Sequence, residues 1–153
     1  MLFKFMAMDM DERWVSRPPE TMLETFHWFH GEGFGLIVED LLRLPREPGV
    51  IAEGFRLLPR LVAPLSDPAR AVWLLPAPGF RQAVMESRGG AASGFLARTA
   101  DPERALRNLL ERDRMFTDVL RAETARLDLP AIEVDAAVTE DELAKRVAKL
   151  FGL

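Results

Sequence analysis

Cysteine is missing from all 153 residues. Its absence excludes disulfides, thiolate zinc sites and thiol nucleophiles together. Lysine is nearly missing too: only Lys4, Lys145 and Lys149 stand among 20 basic residues, and the other 17 are arginine. A bias of that kind can reflect genome base composition, so arginine abundance alone does not mark a phosphate site. Histidine occurs twice, as His27 and His30. No apolar run approaches the ~18 residues that a membrane span requires. The opening stretch from Met1 to Met8 is apolar but short. Asp9, Asp11 and Glu12 follow it directly, with no small-residue cleavage site, so it does not read as a signal peptide. A cytoplasmic protein with no membrane association is expected.

What remains is ordinary for a globular domain: 48% hydrophobic and 29% charged residues. The length fits one domain, 1–153, able to bury roughly two-thirds of its unfolded surface. A net charge of −4 argues against general nucleic-acid binding. The charge is uneven. Residues 80–126 hold nine arginines against seven acids, which leaves the rest of the chain at −6. Such an excess suits a phosphate ligand, and it equally suits a solvated helical face.

Residues 2–6 are too few to choose between strand and helix. Pro18-Pro19 opens a helical pattern over about 19–43, carried by Met22, Phe26, Phe29, Ile37, Leu41 and Leu42. Gly31, Gly33 and Gly35 lie within it and predict a break or a close approach. Val50–Glu53 reads as a buried strand that ends in a carboxylate and Gly54. A short helix at 57–64 and a turn at 66–68 follow. Ala71–Leu75 is a second apolar strand stopped by Pro76, and 77–87 fits a helix. The stretch 88–100, with three glycines and four alanines, reads as a mobile, lid-like loop. Asp101-Pro102 caps a helix to about 127. Residues 131–135 form a third strand candidate, and Thr139 with Glu142 is a capping box for a last helix. Strands alternating with helices predict an α/β domain with a parallel sheet of three or four short strands flanked by helices.

Glu53 is the first site candidate. At the carboxyl end of a parallel strand it would face a ligand crevice, orienting a magnesium-bound water or taking a proton from an acceptor hydroxyl. A loop carboxylate paired to Arg56 or Arg81 is the alternative. Arg81, Arg88, Arg112 and Arg114 are candidates for bidentate phosphate contacts. Arg104 and Arg107 fit an exposed helical face, Arg107 as the i+4 partner of Glu103. Asp11, Arg13 and Trp14 form a mixed cluster that suits either a substrate-contacting loop or a solvated turn. His27 and His30 share a helix with Glu24, yet flanking Phe26 and Phe29 favour packing, and no metal site is expected.

In this order the segments Val50-Ile51-Ala52-Glu53-Gly54, Leu57-Leu58-Pro59, Ala71–Pro76, Arg112-Asp113 and Ile132–Asp135 resemble the later two-thirds of P-loop kinases of the nucleoside and nucleotide type. The resemblance covers about residues 9–153 and implies an incomplete P-loop NTPase-like fold. It also implies ATP and Mg2+ as cofactors, and a nucleotide or small-molecule acceptor as partner. Glu53 would lie near magnesium or the acceptor, with phosphate-binding arginines among Arg81, Arg88 and the loop to Arg98, and Arg112 completing the clamp. The chain departs from that family at its central motif. No Gly-Lys pair occurs anywhere, so the phosphate loop G-x-x-x-x-G-K-[ST] is missing. A start at an internal methionine or a degenerate member is expected, with Leu2–Met6 available for the vacant central strand position. Little phosphoryl transfer is then expected. The alternative is a non-catalytic scaffold that forms a homo-oligomer.

Overall fold

The computed structural model describes residues 2–153. Its central element is α6 (Pro102–Arg126), the longest helix. Asp101 starts it: the carboxylate accepts the Arg104 amide at 3.0 Å, and Pro102 fills a position where no N–H is needed. Ala105, Leu109, Arg112, Asp113, Phe116, Thr117 and Thr124 recur every three or four residues and are buried along one side.

Three small apolar clusters lean on that side. Phe26, Phe29, Leu58 and Phe116 form the first, with Phe29 stacked on Phe116 at 3.9 Å. Trp73, Leu75 and Leu129 form the second, against Leu120. Leu96, Ala105 and Leu109 form the third, with Trp14 and Val15 beside them.

Before α6 the chain runs through α1 (Leu2–Ala7), a π-turn at Glu12–Ser16 and α2 (Pro19–Thr25). A 3-10 turn at His27–His30 then leads to α3 (Phe34–Arg43). The helical pattern of 19–43 is thus divided at its glycines. Gly31 has φ +83°, a backbone conformation that favours glycine, and a Cβ there would also have to displace the end of the Leu61 side chain, whose Cδ1 would lie 2.6 Å away. The short helix α4 (Pro59–Val62) precedes β1 (Trp73–Pro76), which runs into α5 (Pro78–Ser87). Residues 88–100 hold two 3-10 turns and bury Ala91, Leu96 and Thr99. After α6 come β2 (Ala131–Val134) and α7 (Glu140–Leu150), the latter started by the Thr139–Glu142 capping box.

The sheet is smaller than the sequence suggests. Among the described residues only β1 and β2 pair; they are parallel, with Trp73 opposite Ala131 and Pro76 opposite Val134. The chain is 61% helical, which overturns the expected parallel sheet of three or four strands and with it the incomplete P-loop NTPase-like fold. Two segments account for the difference. Residues 50–53 lie in an irregular exposed stretch, because Val50-Ile51-Ala52 is only three apolar residues long and no strand lies beside it to accept its amides. Leu2–Met6, offered for a central strand, is helical in α1. Even β1 departs from a continuously buried strand. Trp73 and Leu75 face inward while Leu74 faces solvent, since the small sheet is covered on one side.

Candidate functional site

A cleft of about 410 Å³ opens where β1 ends and α5 begins. Its floor is Pro76, Ala77, Pro78 and Gly79, with Leu110 opposite. One wall is the first turn of α5, carrying Arg81 and Gln82. The other is α6, which presents Arg107, Glu111, Arg114, Thr117, Asp118 and Arg121. Four arginines against two acids give this lining a positive balance on a chain of net charge −4.

The arginines differ in their commitments. Arg114 donates to both oxygens of Glu111, at 2.9 and 2.7 Å, and to Asp118 at 2.7 Å. Those bonds hold the Glu111 carboxyl below the usual carboxylate range and raise the Arg114 guanidinium above its own. Arg121 is paired to Asp118 at 2.6 Å and to Glu133, in β2, at 3.3 Å. Arg107 has no ion pair among the described residues and is exposed, with its charge available to a ligand.

Arg81 is held from behind. Its Nε donates to Asp113 Oδ2 at 2.8 Å. Asp113 is buried, and its other oxygen accepts from Arg112 Nε at 3.0 Å and Nη2 at 2.6 Å. Arg112 is itself only 6% exposed. Its guanidinium lies over Trp14, Phe26 and Phe29, at 5.3, 5.0 and 5.2 Å from the ring centres. One nitrogen, Nη1, meets no hydrogen-bond acceptor, and the three rings around the guanidinium supply the remaining attraction. A chain of charge therefore runs from the core through Asp113 to Arg81 at the cleft.

The candidates named from sequence are distributed unevenly. Arg81 and Arg114 line the cleft, and Arg88 lies in a smaller adjoining cleft of about 140 Å³ that shares Pro76 and Arg81. Arg112 is close in space but buried behind Asp113. Glu53 sits in the exposed stretch before α4 and does not line the cleft. Asp11 accepts the Ala100 amide at 2.7 Å, Arg13 donates to the Met6 carbonyl at 2.9 Å, and Trp14 packs on Phe95 and under Arg112. Asp11 and Trp14 hold the N-terminal turn against the body, Arg13 ties it to α1, and all three stand apart from the cleft lining. Arg107 and Arg121 were not among the sequence candidates. The signal was present in their spacing: Arg107, Arg114 and Arg121 recur every seven residues, two helical turns apart, and so share one side of α6.

No protein-family model, curated protein or solved structure matches this chain. The site is therefore read from its own chemistry. Among the described residues, no group of three or more His, Asp or Glu is placed to hold a metal ion. Glu111 and Asp118 are both committed to arginines, so the lining does not fit a magnesium ion held by the protein. No helix among the described residues is long and apolar enough to cross a membrane.

Proposed function

We propose that the cleft binds a phosphorylated small molecule, with a nucleotide such as ATP as the type of ligand. One observation carries this reading: Arg107, Arg114 and Arg121 form a row on α6 that faces the apolar turn Pro76–Gly79 across a space of about 410 Å³. That volume lies within the range of small-molecule sites, which combine apolar lining with a few convergent polar groups. The apolar floor suits a ring or other flat portion of the ligand. The Arg107 guanidinium, which has no ion pair among the described residues, suits phosphate oxygens, which arginine can contact bidentately, and Arg114 and Arg121, paired to Glu111 and Asp118, flank it. The amides at the start of α5 add partial positive charge at the same end.

Binding is the role that these residues support. Phosphoryl transfer has only the resemblance to P-loop kinases behind it. Magnesium would accompany the ligand's phosphates, since the lining does not offer it a site.

Isothermal titration with ATP, ADP and pyrophosphate, each with and without magnesium, tests the reading. Arg107→Ala is the informative variant because no internal partner is lost with the side chain. Removing one charge-assisted contact is expected to weaken binding about tenfold, with the thermal melt unchanged. No heat with any of the three compounds, or equal affinity in Arg107→Ala, would overturn it.

A further inference from the structure

Arg81 lines two clefts, and the proposed function uses only the larger. The smaller, of about 140 Å³, lies between Pro76 at the end of β1 and one side of α5. That side carries Phe80, Arg81, Val84, Met85 and, directly after the helix, Arg88. Phe80, Val84 and Met85 are half-buried and give the cleft an apolar lining. Arg81 and Arg88 are exposed and stand two turns apart, with Val84 and Met85 between them. Roughly 10 Å of helix axis separates the two backbone positions.

Both arginines are placed by structure rather than left to solvent. Arg81 gives its Nε, at 2.8 Å, and its Nη2, at 2.6 Å, to one oxygen of the buried Asp113. Its Nη1 end has no partner among the described residues and is free for an anion to meet end-on. Arg88 has no ion pair among the described residues. Its amide closes α5 on the Val84 and Met85 carbonyls, at 3.3 and 3.2 Å. The chain then turns through Gly89 and Gly90 at φ +97° and +56°, and Ser93 fastens that turn by donating its amide and its hydroxyl to the Gly90 carbonyl. Asp113 is already shared between Arg81 and Arg112, so the three groups carry a net charge of +1 at the edge of the cleft.

We infer that this smaller cleft is a second ligand site, and that it takes a short dicarboxylate. Its apolar spacer lies on Phe80, Val84 and Met85, and its two carboxylates meet Arg81 and Arg88. The order cation, apolar floor, cation along one side of α5 is the complement of a diacid. An engineered cavity of ~150 Å³ accepts benzene, so a cleft of about 140 Å³ holds an apolar body of that size while the acid groups reach past its ends. Inorganic phosphate would gain nothing from the apolar lining. A mono-acid would leave one arginine unused. On a chain of net charge −4 a dianion meets no general attraction, so its binding depends on this local pair. The inference does not require the phosphate reading of the larger cleft, whose arginines lie on α6.

Titration of the isotope-labelled full chain with adipate, a short straight-chain diacid, followed by amide chemical shifts at a constant ionic strength of ~0.15 M, tests it. Shifts centred on residues 80–88 and a dissociation constant of a few millimolar are expected, as suits a ligand of about ten heavy atoms. Hexanoate, which keeps the spacer but has one carboxylate, is expected to bind about tenfold more weakly, since one charge-assisted contact is missing. Arg88→Met is expected to bring adipate down to the affinity of hexanoate, with an unchanged circular dichroism spectrum. Arg126→Met, which removes the same charge from a residue in neither cleft, is expected to bind adipate as the wild type does. Should Arg88→Met not fold, the comparison of adipate with hexanoate in the wild type decides alone. No shifts over residues 80–88 at about 50 mM adipate, far above the affinity expected, would overturn the inference. So would hexanoate or inorganic phosphate binding there as tightly as adipate, an unaltered affinity in folded Arg88→Met, or an equal loss in Arg126→Met.

Discussion

Two buried polar residues show what single side chains contribute here. Asp113 accepts from Arg112 on one side and Arg81 on the other, and Arg112 has no second carboxylate within reach among the described residues. Asp113→Asn keeps the shape but removes the compensating charge from a buried guanidinium. The expected loss is about 3–5 kcal/mol, read from urea denaturation. His27 is the opposite case, a buried imidazole whose two nitrogens meet no partner. It packs against Phe5, Phe26 and Trp28. Burial pushes its pKa below the ordinary value of 6.5; Glu32 opposes that shift and Arg56 adds to it. In the window between the folded and unfolded pKa the unfolded chain carries the proton and the folded chain does not. The contribution of neutral His27 is therefore complete above about pH 6.5 and is lost as the pH falls through the folded value. His27→Leu is expected to flatten that acid limb. At pH 8 it should also raise stability by about 1 kcal/mol, because two unsatisfied buried nitrogens are gone. Urea midpoints at pH 8 and pH 5 for both proteins check this.

At the scale of elements, α6 and α7 begin with equally good caps but stand in different surroundings. Asp101→Ala should lower global stability by about 1 kcal/mol, since the three core clusters all rest on α6. Thr139→Ala removes a complete capping box from a helix with no buried residue. Its cost is expected to stay local: faster amide exchange over residues 140–143, with the urea midpoint within about 0.5 kcal/mol of wild type. The elements with strong punctuation were readable from sequence. Asp101-Pro102, the Thr139–Glu142 box and the glycines at 31 and 33 mark where helices start or break, and the structure has those boundaries. Val50–Glu53 misled because a three-residue apolar run between Pro48-Gly49 and Gly54 satisfies a strand pattern locally. A strand also needs a neighbour to receive its hydrogen bonds, and no local pattern reports one. The cleft was half legible. Arg81 and Arg114, phosphate candidates from sequence, line the cleft, whereas Arg107, expected on an exposed face as the i+4 partner of Glu103, is exposed, lines the cleft too and forms no such pair among the described residues. Arg112 was legible as an important arginine but not as a buried one, since its aromatic box is assembled from residues about ninety positions apart.

For the whole molecule, the number of strands was the least readable property, because it depends on long-range pairing, whereas helices announce themselves within a turn or two. The result is a helical body with a two-stranded parallel sheet at one side and two adjoining cationic clefts at the end of that sheet. The common support of all three clusters is α6, and it comes late in the chain. During synthesis Phe26, Phe29, Leu58 and Trp73 leave the ribosome well before the helix they close upon. At the usual elongation rate of ~5–20 residues per second, the 25 residues of α6 alone take about 1–5 s to add. For that interval the early aromatic residues have one another to pack on but lack Phe116 and Leu120, the α6 side chains that close over them.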